Sequence, residues 1–317
     1  MKVIGLSNSK KMVLDKTGIN LNDWESVLNN GKKSGPIDFF EATKSLNLRN
    51  SIFVDITASD MVASSYALYL KQSIAVVACN KIACSSKIEN YLELKQLSHK
   101  YNVPFLFETN VGAGLPVIDT LKHLINSGDK INTVHAVLSG SLNYIFNNYN
   151  KSTTFHDVVK QAQTEGYTEP DPRIDLSGVD VARKLLILAR ESGEMIDMDG
   201  IENEAFLPEE CMTANSVEAF YETLKSKEVH FQKFFTSAES NQCQLKYVSE
   251  YKDGVAKVGL KEIPEGHPFY NLEGKDNIVM FYTNRYKDQP MIIKGAGAGS
   301  EVTASGLFAD IIRISKN

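Results

Sequence analysis

The chain reads as an α/β protein in two parts, a parallel sheet followed by an α+β region whose own sheet is mixed or antiparallel. Over the first 108 residues, short β-rich runs alternate with helix-like segments. Later in the chain, strand-like runs crowd together with turn residues between them, the mark of antiparallel pairing. A length of 317 residues also exceeds what one hydrophobic core usually serves.

The early runs are KVIGL at 2–6, SIFVDIT at 51–57, SIAVVAC at 73–79 and VPFLFE at 103–108. Between them, DMVASSYALYLKQ and SSKIENYLELKQLSHKY are predicted to be crossover helices, the second with Ile88, Tyr91, Leu92 and Lys95 at helical spacing. INTVHAVLS at 131–139 reads as a strand and TTFHDVVKQAQTEG as a helix. QLKYVSEY and GVAKVGLKEI flank Asp253 and Gly254, a hairpin signal, and NIVMFYT and PMIIK follow. The final VTASGLFADIIRI is an amphipathic helix expected to return to the first part. The expected division is residues 1–115 plus 294–317 for the first domain and 116–293 for the second.

A sheet built for dinucleotides begins with a strand, a G-x-G-x-x-G turn and a helix, and no G-x-G-x-x-G occurs in this sequence. With Met1 read as already inside a strand, the expectation is a sheet truncated at its N-terminus, or one that takes no dinucleotide.

Composition narrows the function. A net charge of −5 offers no field to nucleic acid or anionic lipid. Cys79, Cys84, Cys211 and Cys243 form no CxxC pair, which argues against zinc and a disulfide framework and for a reducing cytoplasm. No run of 18 apolar residues occurs and the apolar start at Val3–Leu6 is too short for a signal peptide, so no membrane partner or targeting segment is expected.

The densest chemistry lies in EGYTEPDPRIDLSGVDVARKLLILAR, residues 165–190. Pro170 and Pro172 stiffen an acidic loop. Ser177 with Asp180 three residues on is a variant capping box, so a helix is expected from about Gly178 until Gly193 stops it. Asp180 and Lys184 then share a face at i,i+4, with Val181, Ile187 and Leu188 around the lysine. The residues alone allow two readings. One is an exposed helix pair; the other is a partly desolvated amine ready to hand over a proton, beside an acidic loop able to hold an ammonium.

That segment, with ETNVGAGLPVI at 108–118, VLSGSLNYIF at 137–146 and KGAGAGSEVTASG at 294–306, resembles homoserine dehydrogenase, in the form fused behind an aspartokinase in bacterial bifunctional enzymes. The likeness runs in order along essentially the whole chain. It implies a Rossmann-like parallel sheet, here truncated, with a second α+β domain for substrate and dimerisation. The implied reaction is the NAD(P)H-dependent interconversion of aspartate 4-semialdehyde and homoserine, on the route to threonine and methionine.

By the same resemblance Lys184 serves acid/base chemistry with Asp180 near it, and Glu169 and Asp175 take the substrate's amino group. Tyr167, Gly140 and Ser141 line the pocket. Thr57 and Lys81, at the ends of their strands, face the cofactor, Lys81 also nearing the reacting centre; without the resemblance they read as a helix cap and a loop lysine. Asn8, Ser9 and Lys10 follow the first strand without an acidic residue, which favours NADP(H) over NAD(H), although the same run reads as an ordinary polar loop. Gly299 would touch NADP.

The resemblance further implies a monovalent cation, sodium, on Glu108 and the carbonyls of Val111, Ala113 and Leu115, a donor set of hard oxygens. The bare sequence equally allows a structural glycine loop there. Cys79 and Ile174 depart from the family pattern, which commonly has proline and aspartate at these positions. A homodimer through the second domain, and weak cofactor binding for want of the glycine-rich turn, complete the expectations. The rival reading is a non-catalytic assembly or regulatory module of a larger polypeptide.

Overall fold

The computed structural model describes residues 1–316. The fold is α/β and divides into two compact units. The first comprises Met1–Cys84, Glu89–Phe107 and the chain from Ala309; the second comprises Ser85–Ile88 and Glu108–Phe308.

In the first unit, β4 (Ile52–Asp55), β5 (Ala75–Ala78) and β6 (Phe105–Leu106) form a three-stranded parallel sheet in the order β4-β5-β6. The pairing is parallel as expected, and the Ile88–Lys100 helix lies between β5 and β6 in the chain. The expected DMVASSYALYLKQ helix is instead two short ones, Asp60–Ala63 and Tyr66–Lys71. The break falls at two serines whose hydroxyls donate back to the carbonyls of Asp60 and Val62, which competes with helix propagation.

The run at 2–6 does not join the parallel sheet. β1 (Gly5–Ser7), β2 (Lys11–Leu14) and β3 (Lys32–Lys33) form a separate antiparallel sheet. The reason is local: the amides of Lys10 and Lys11 donate to the Asn8 Oδ1 at 2.9 and 2.8 Å, and the Asn8 amide donates to the Lys11 carbonyl at 3.0 Å. An Asx turn of this kind reverses the chain at once, whereas a parallel partner needs a long crossover.

The second unit is built on a six-stranded mixed sheet in the order β12-β11-β7-β9-β10-β8. Its strands are β7 (Ile131–Val137), β8 (Ile201–Glu204), β9 (Cys243–Lys252), β10 (Val255–Pro264), β11 (Asp276–Thr283) and β12 (Met291–Ala296). β9 and β10 pair antiparallel over ten residues, closed by Asp253 and Gly254 with φ of 50° and 80°, the two left-handed residues that a type I′ hairpin needs. β8 adds in parallel to β10 as an edge strand whose Glu202, Asn203 and Glu204 are exposed.

A buried cluster of Val137, Val248, Ile263, Ile278 and Met280 from the sheet is capped by Phe269 and Leu272 from the β10–β11 connection. The helices Gly140–Asn148, Val179–Glu191 and Glu228–Ser240 pack on the sheet as well. No helix among the described residues is long and apolar enough to cross a membrane.

Candidate active site

Two junctions of the second unit meet at the site: the turn from β7 into the Gly140–Asn148 helix, and the turn from Arg173–Leu176 into the Val179–Glu191 helix. The first helix begins cleanly because the Ser139 side chain accepts from the Leu142 amide. The second begins at Gly178, with φ of 71°, packed so closely that any side chain there would strike the Tyr247 hydroxyl. The expected capping box is absent. Glycine is the N-cap, and the Ser177 hydroxyl donates to the Ile174 carbonyl and accepts from the Val179 amide at 3.3 Å.

Lys184 leaves this helix with its side chain 13% exposed, and its ammonium lies 2.9 Å from Asp180 Oδ2. The same Nζ donates to the Leu138 carbonyl at 2.7 Å. Val181, Ile187 and Leu188, three and four residues away along the helix, are buried. The amine is therefore largely withdrawn from water while its carboxylate partner stays 44% exposed; the helix mounts this amine at the end of β7, held from two sides.

Asp175 lies at the centre of the acidic residues. One carboxylate oxygen accepts from the Ser141 hydroxyl and the other from the Glu169 amide, each at 2.8 Å. Burial, first, and then the negative charges of Glu169 and Asp180 push its carboxyl above the ordinary range, outweighing the two hydrogen bonds that lower it. Such a group gains by receiving a cation. Glu169 is exposed beside it.

Tyr167 stacks on Tyr144 with ring centroids 3.9 Å apart, and the Tyr144 hydroxyl donates to Glu165 at 2.8 Å. Asp171 is turned to another task, gripping the Arg173 guanidinium at 2.6 Å while Arg173 also donates to the Ala214 carbonyl. Ile174 is exposed. Thus Lys184, Asp180, Asp175, Glu169 and Ser141 come together, with Gly140 next in the chain to Ser141. The Leu138 carbonyl, a main-chain group without a sequence signal, and Tyr144, which reads as a core aromatic, were missed.

Gly299, with φ of 123°, ends the glycine run and accepts the Thr303 amide at 3.0 Å and the Thr303 hydroxyl at 2.8 Å, which starts the Ser300–Lys316 helix. Glu108 is buried, and its two oxygens accept from the amides of Ile118 and Asp119 at 2.7 and 2.8 Å, at the start of the Val117–Asn126 helix. Val111 and Ala113 are buried with it, while the Leu115 carbonyl accepts from the Val117 amide at 2.8 Å.

In the first unit, Asp55 is buried at the end of β4 and collects the Thr57 amide, the Tyr66 hydroxyl and the Asn80 amide group at 2.7, 2.5 and 3.1 Å. The Thr57 hydroxyl accepts from the Ser59 amide at 3.1 Å. Asn80, next to Lys81, also donates to the Ser59 carbonyl and accepts from the Ile82 amide, so the loops after β4 and β5 are tied together. Asp55 and Asn80 escaped the sequence reading, though an acid closing an apolar strand was a usable signal. Asn8 is committed to its turn, with Ser9 and Lys10 exposed beside it.

A family model described as homoserine dehydrogenase matches residues 116–312, and one described as its NAD binding domain matches residues 2–108. A bifunctional aspartokinase/homoserine dehydrogenase of Arabidopsis thaliana is 42% identical over 320 residues, covering 99% of this chain and 35% of that protein. The chain thus spans about a third of the length of that relative.

Among solved structures, a Candida auris protein of unknown function superposes with a TM-score of 0.93 at 34% identity, covering 100% of this chain and 90% of the other. A hyperthermophilic archaeal homoserine dehydrogenase in complex with NADPH gives 0.73 at 25%, covering 99% and 88%. With both family models matched in order along one fold, the chain belongs to the homoserine dehydrogenase family.

Proposed function

We propose that this chain interconverts aspartate 4-semialdehyde and homoserine with a nicotinamide cofactor, as an NAD(P)-dependent oxidoreductase. The observation that carries the reading is the Lys184 ammonium, fixed by Asp180 and Leu138 at the edge of a carboxylate cluster. Its third hydrogen remains for a substrate oxygen, and a charged donor there stabilises negative charge as it develops. Asp175 and Glu169 offer a zwitterionic substrate the counter-charges for its ammonium. Asp175 is prepared for this by the burial that raises its carboxyl.

The nicotinamide, when bound, supplies or accepts the hydride. In the first unit, Thr57 and Lys81 at the strand ends and the acid-free Asn8–Lys10 turn are the residues we assign to it, with Gly299 in the second unit. The exposed, neutral-to-basic turn favours the cofactor with the extra phosphate, NADP(H). Since no G-x-G-x-x-G turn offers amides to a pyrophosphate, affinity weaker than micromolar is expected.

Glu108, with the carbonyls of Val111, Ala113 and Leu115, is our proposed seat for a monovalent cation. The buried carboxylate and the uncharged oxygens of the glycine loop suit such an ion. A homodimer through the second unit, and an aspartokinase on the same polypeptide as in the Arabidopsis relative, complete the proposal.

Steady-state assay of the purified chain, following oxidation of NADPH, tests the reaction. Aspartate 4-semialdehyde should be reduced, and succinate semialdehyde, which lacks only the amino group, should lose about 10²-fold or more in kcat/KM. Equal turnover of the two aldehydes would remove the acidic cradle from the reading.

A further inference from the structure

Beneath the site runs a second charged group that the proposed reaction does not use. Lys246, on β9, is only 1% exposed. Its ammonium donates to the Leu272 carbonyl at 2.7 Å, to Asn143 Oδ1 at 3.3 Å and to Asn147 Oδ1. All three hydrogens are thus taken by neutral oxygens. Asn143 and Asn147 stand at i,i+4 on one face of the Gly140–Asn148 helix, the helix whose first turn holds Ser141 and whose preceding turn supplies the Leu138 carbonyl.

The same two asparagines reach the loop before β11. Asn143 Nδ2 donates to the Gly274 carbonyl at 3.0 Å, with those of Leu272 and Glu273 at 3.4 and 3.5 Å, and Asn147 Nδ2 donates to Leu272 at 3.0 Å. The loop continues onto the first turn of the helix: the Lys275 backbone and Cβ lie against Gly140 so closely that a Cβ there would sit 3.1 Å from the Lys275 Cβ. One ammonium therefore ties together a strand, the helix that presents Ser141, and the loop that lies on Gly140.

We propose that Lys246 is a positioning residue, a buried clasp that holds the 272–275 loop and the start of the Gly140–Asn148 helix in the arrangement that receives substrate. This role rests on the function proposed above. The clasp works only while it carries three hydrogens. A neutral amine has two, and its lone pair would face one of three acceptor oxygens, so loss of the proton breaks at least one of the ties.

The group is poised for that loss. Burial lowers the Lys246 amine from 10.5 to about 8; Glu273 on the loop draws the charge back, and Lys294 on β12 opposes it. Lys261, its cross-strand neighbour on β10, has its own partner in Glu204. The clasp should therefore slacken as pH rises through about 8. Stability runs the other way. Between about 8 and 10.5 the unfolded chain holds the proton and the folded one does not, so folding becomes more favourable as pH rises across that window.

Hydrogen exchange of the full-length chain, measured from one unit below to one unit above that value and corrected for the intrinsic pH dependence of exchange, is the test. The amides of residues 272–276 should lose protection with rising pH while those of β9 and β10 keep theirs. Lys246→Met, which removes all three ties, should abolish the pH dependence, leave the loop loose throughout and raise the substrate KM about tenfold, with the KM for NADPH unmoved.

Unchanged loop protection across the range in the wild type overturns the proposal, and so does a Lys246→Met chain that keeps the wild-type KM. Should that variant fail to fold, the wild-type exchange profile decides alone. If the wild type turns over no aldehyde, the functional reading fails while the exchange arm still decides the clasp.

Discussion

At the scale of single residues, the site divides labour between two charges that a sequence can bring near one another only through the fold. Lys184 is held by neighbours that orient it without using all its hydrogens. Lys184→Met should lower kcat by about 10²–10⁴-fold, the range for losing a positioned acid, while the dissociation constant for homoserine changes little; single-turnover kinetics with calorimetric binding checks both. Asp175 gives a second, oppositely signed expectation. Its raised carboxyl means that the folded chain binds the proton more tightly than the unfolded one, so its ionisation at neutral pH costs stability.

Asp175→Asn keeps a hydrogen-bonding group of the same size but carries no charge. It should raise the melting temperature at pH 7 and still raise the substrate KM. The wild type should lose kcat/KM on the acid side above the ordinary carboxylate range, as Asp175 takes up its proton, and the asparagine variant should lack that limb. An unchanged melting temperature and an unchanged acid limb would argue that the burial of Asp175 has no functional meaning.

At the scale of elements, the Gly178 junction fixes where the Val179–Glu191 helix begins. Ala at this position must adopt φ of 71° and meet the Tyr247 hydroxyl, so Gly178→Ala should cost about 1–3 kcal/mol in urea denaturation. The alternating runs at 51–57 and 73–79 and the Asp253–Gly254 turn give strands and a hairpin because side-chain period and turn chemistry are local.

The Asp180–Lys184 pair was readable for the same reason: helical spacing places them together whatever surrounds them. Pairing partners are not local. The first strand looks like any parallel strand until the Asn8 turn is weighed, and Ser141 holding Asp175 across 34 positions leaves no trace in either segment. Lys246 was invisible for a further reason, since a lysine in a strand reads as a solvent-facing residue in the alternation.

At the scale of the molecule, the residues we assign to the cofactor fall largely in one compact unit and those we assign to the substrate in the other. Cofactor should therefore act on stability as a ligand of the folded state, raising the melting temperature by an increment that grows with the logarithm of its concentration. Differential scanning fluorimetry with NADPH and NADH in parallel measures it. A larger shift with NADPH at equal concentration is the expected result, and a larger shift with NADH would reverse the assigned preference.

The largest sheet ends on one side in β8, where three successive polar residues, two of them acidic, are exposed. An open strand is an invitation to join hydrogen-bonded ladders between molecules, and charged groups along it, Glu202 and the Glu204–Lys261 ion pair, must shed their water before another strand can add. Crowded solutions of this protein are thereby guarded at the place where the six-stranded sheet could otherwise grow without limit. Neutralising Glu202 and Glu204 should let chains add to one another edge to edge.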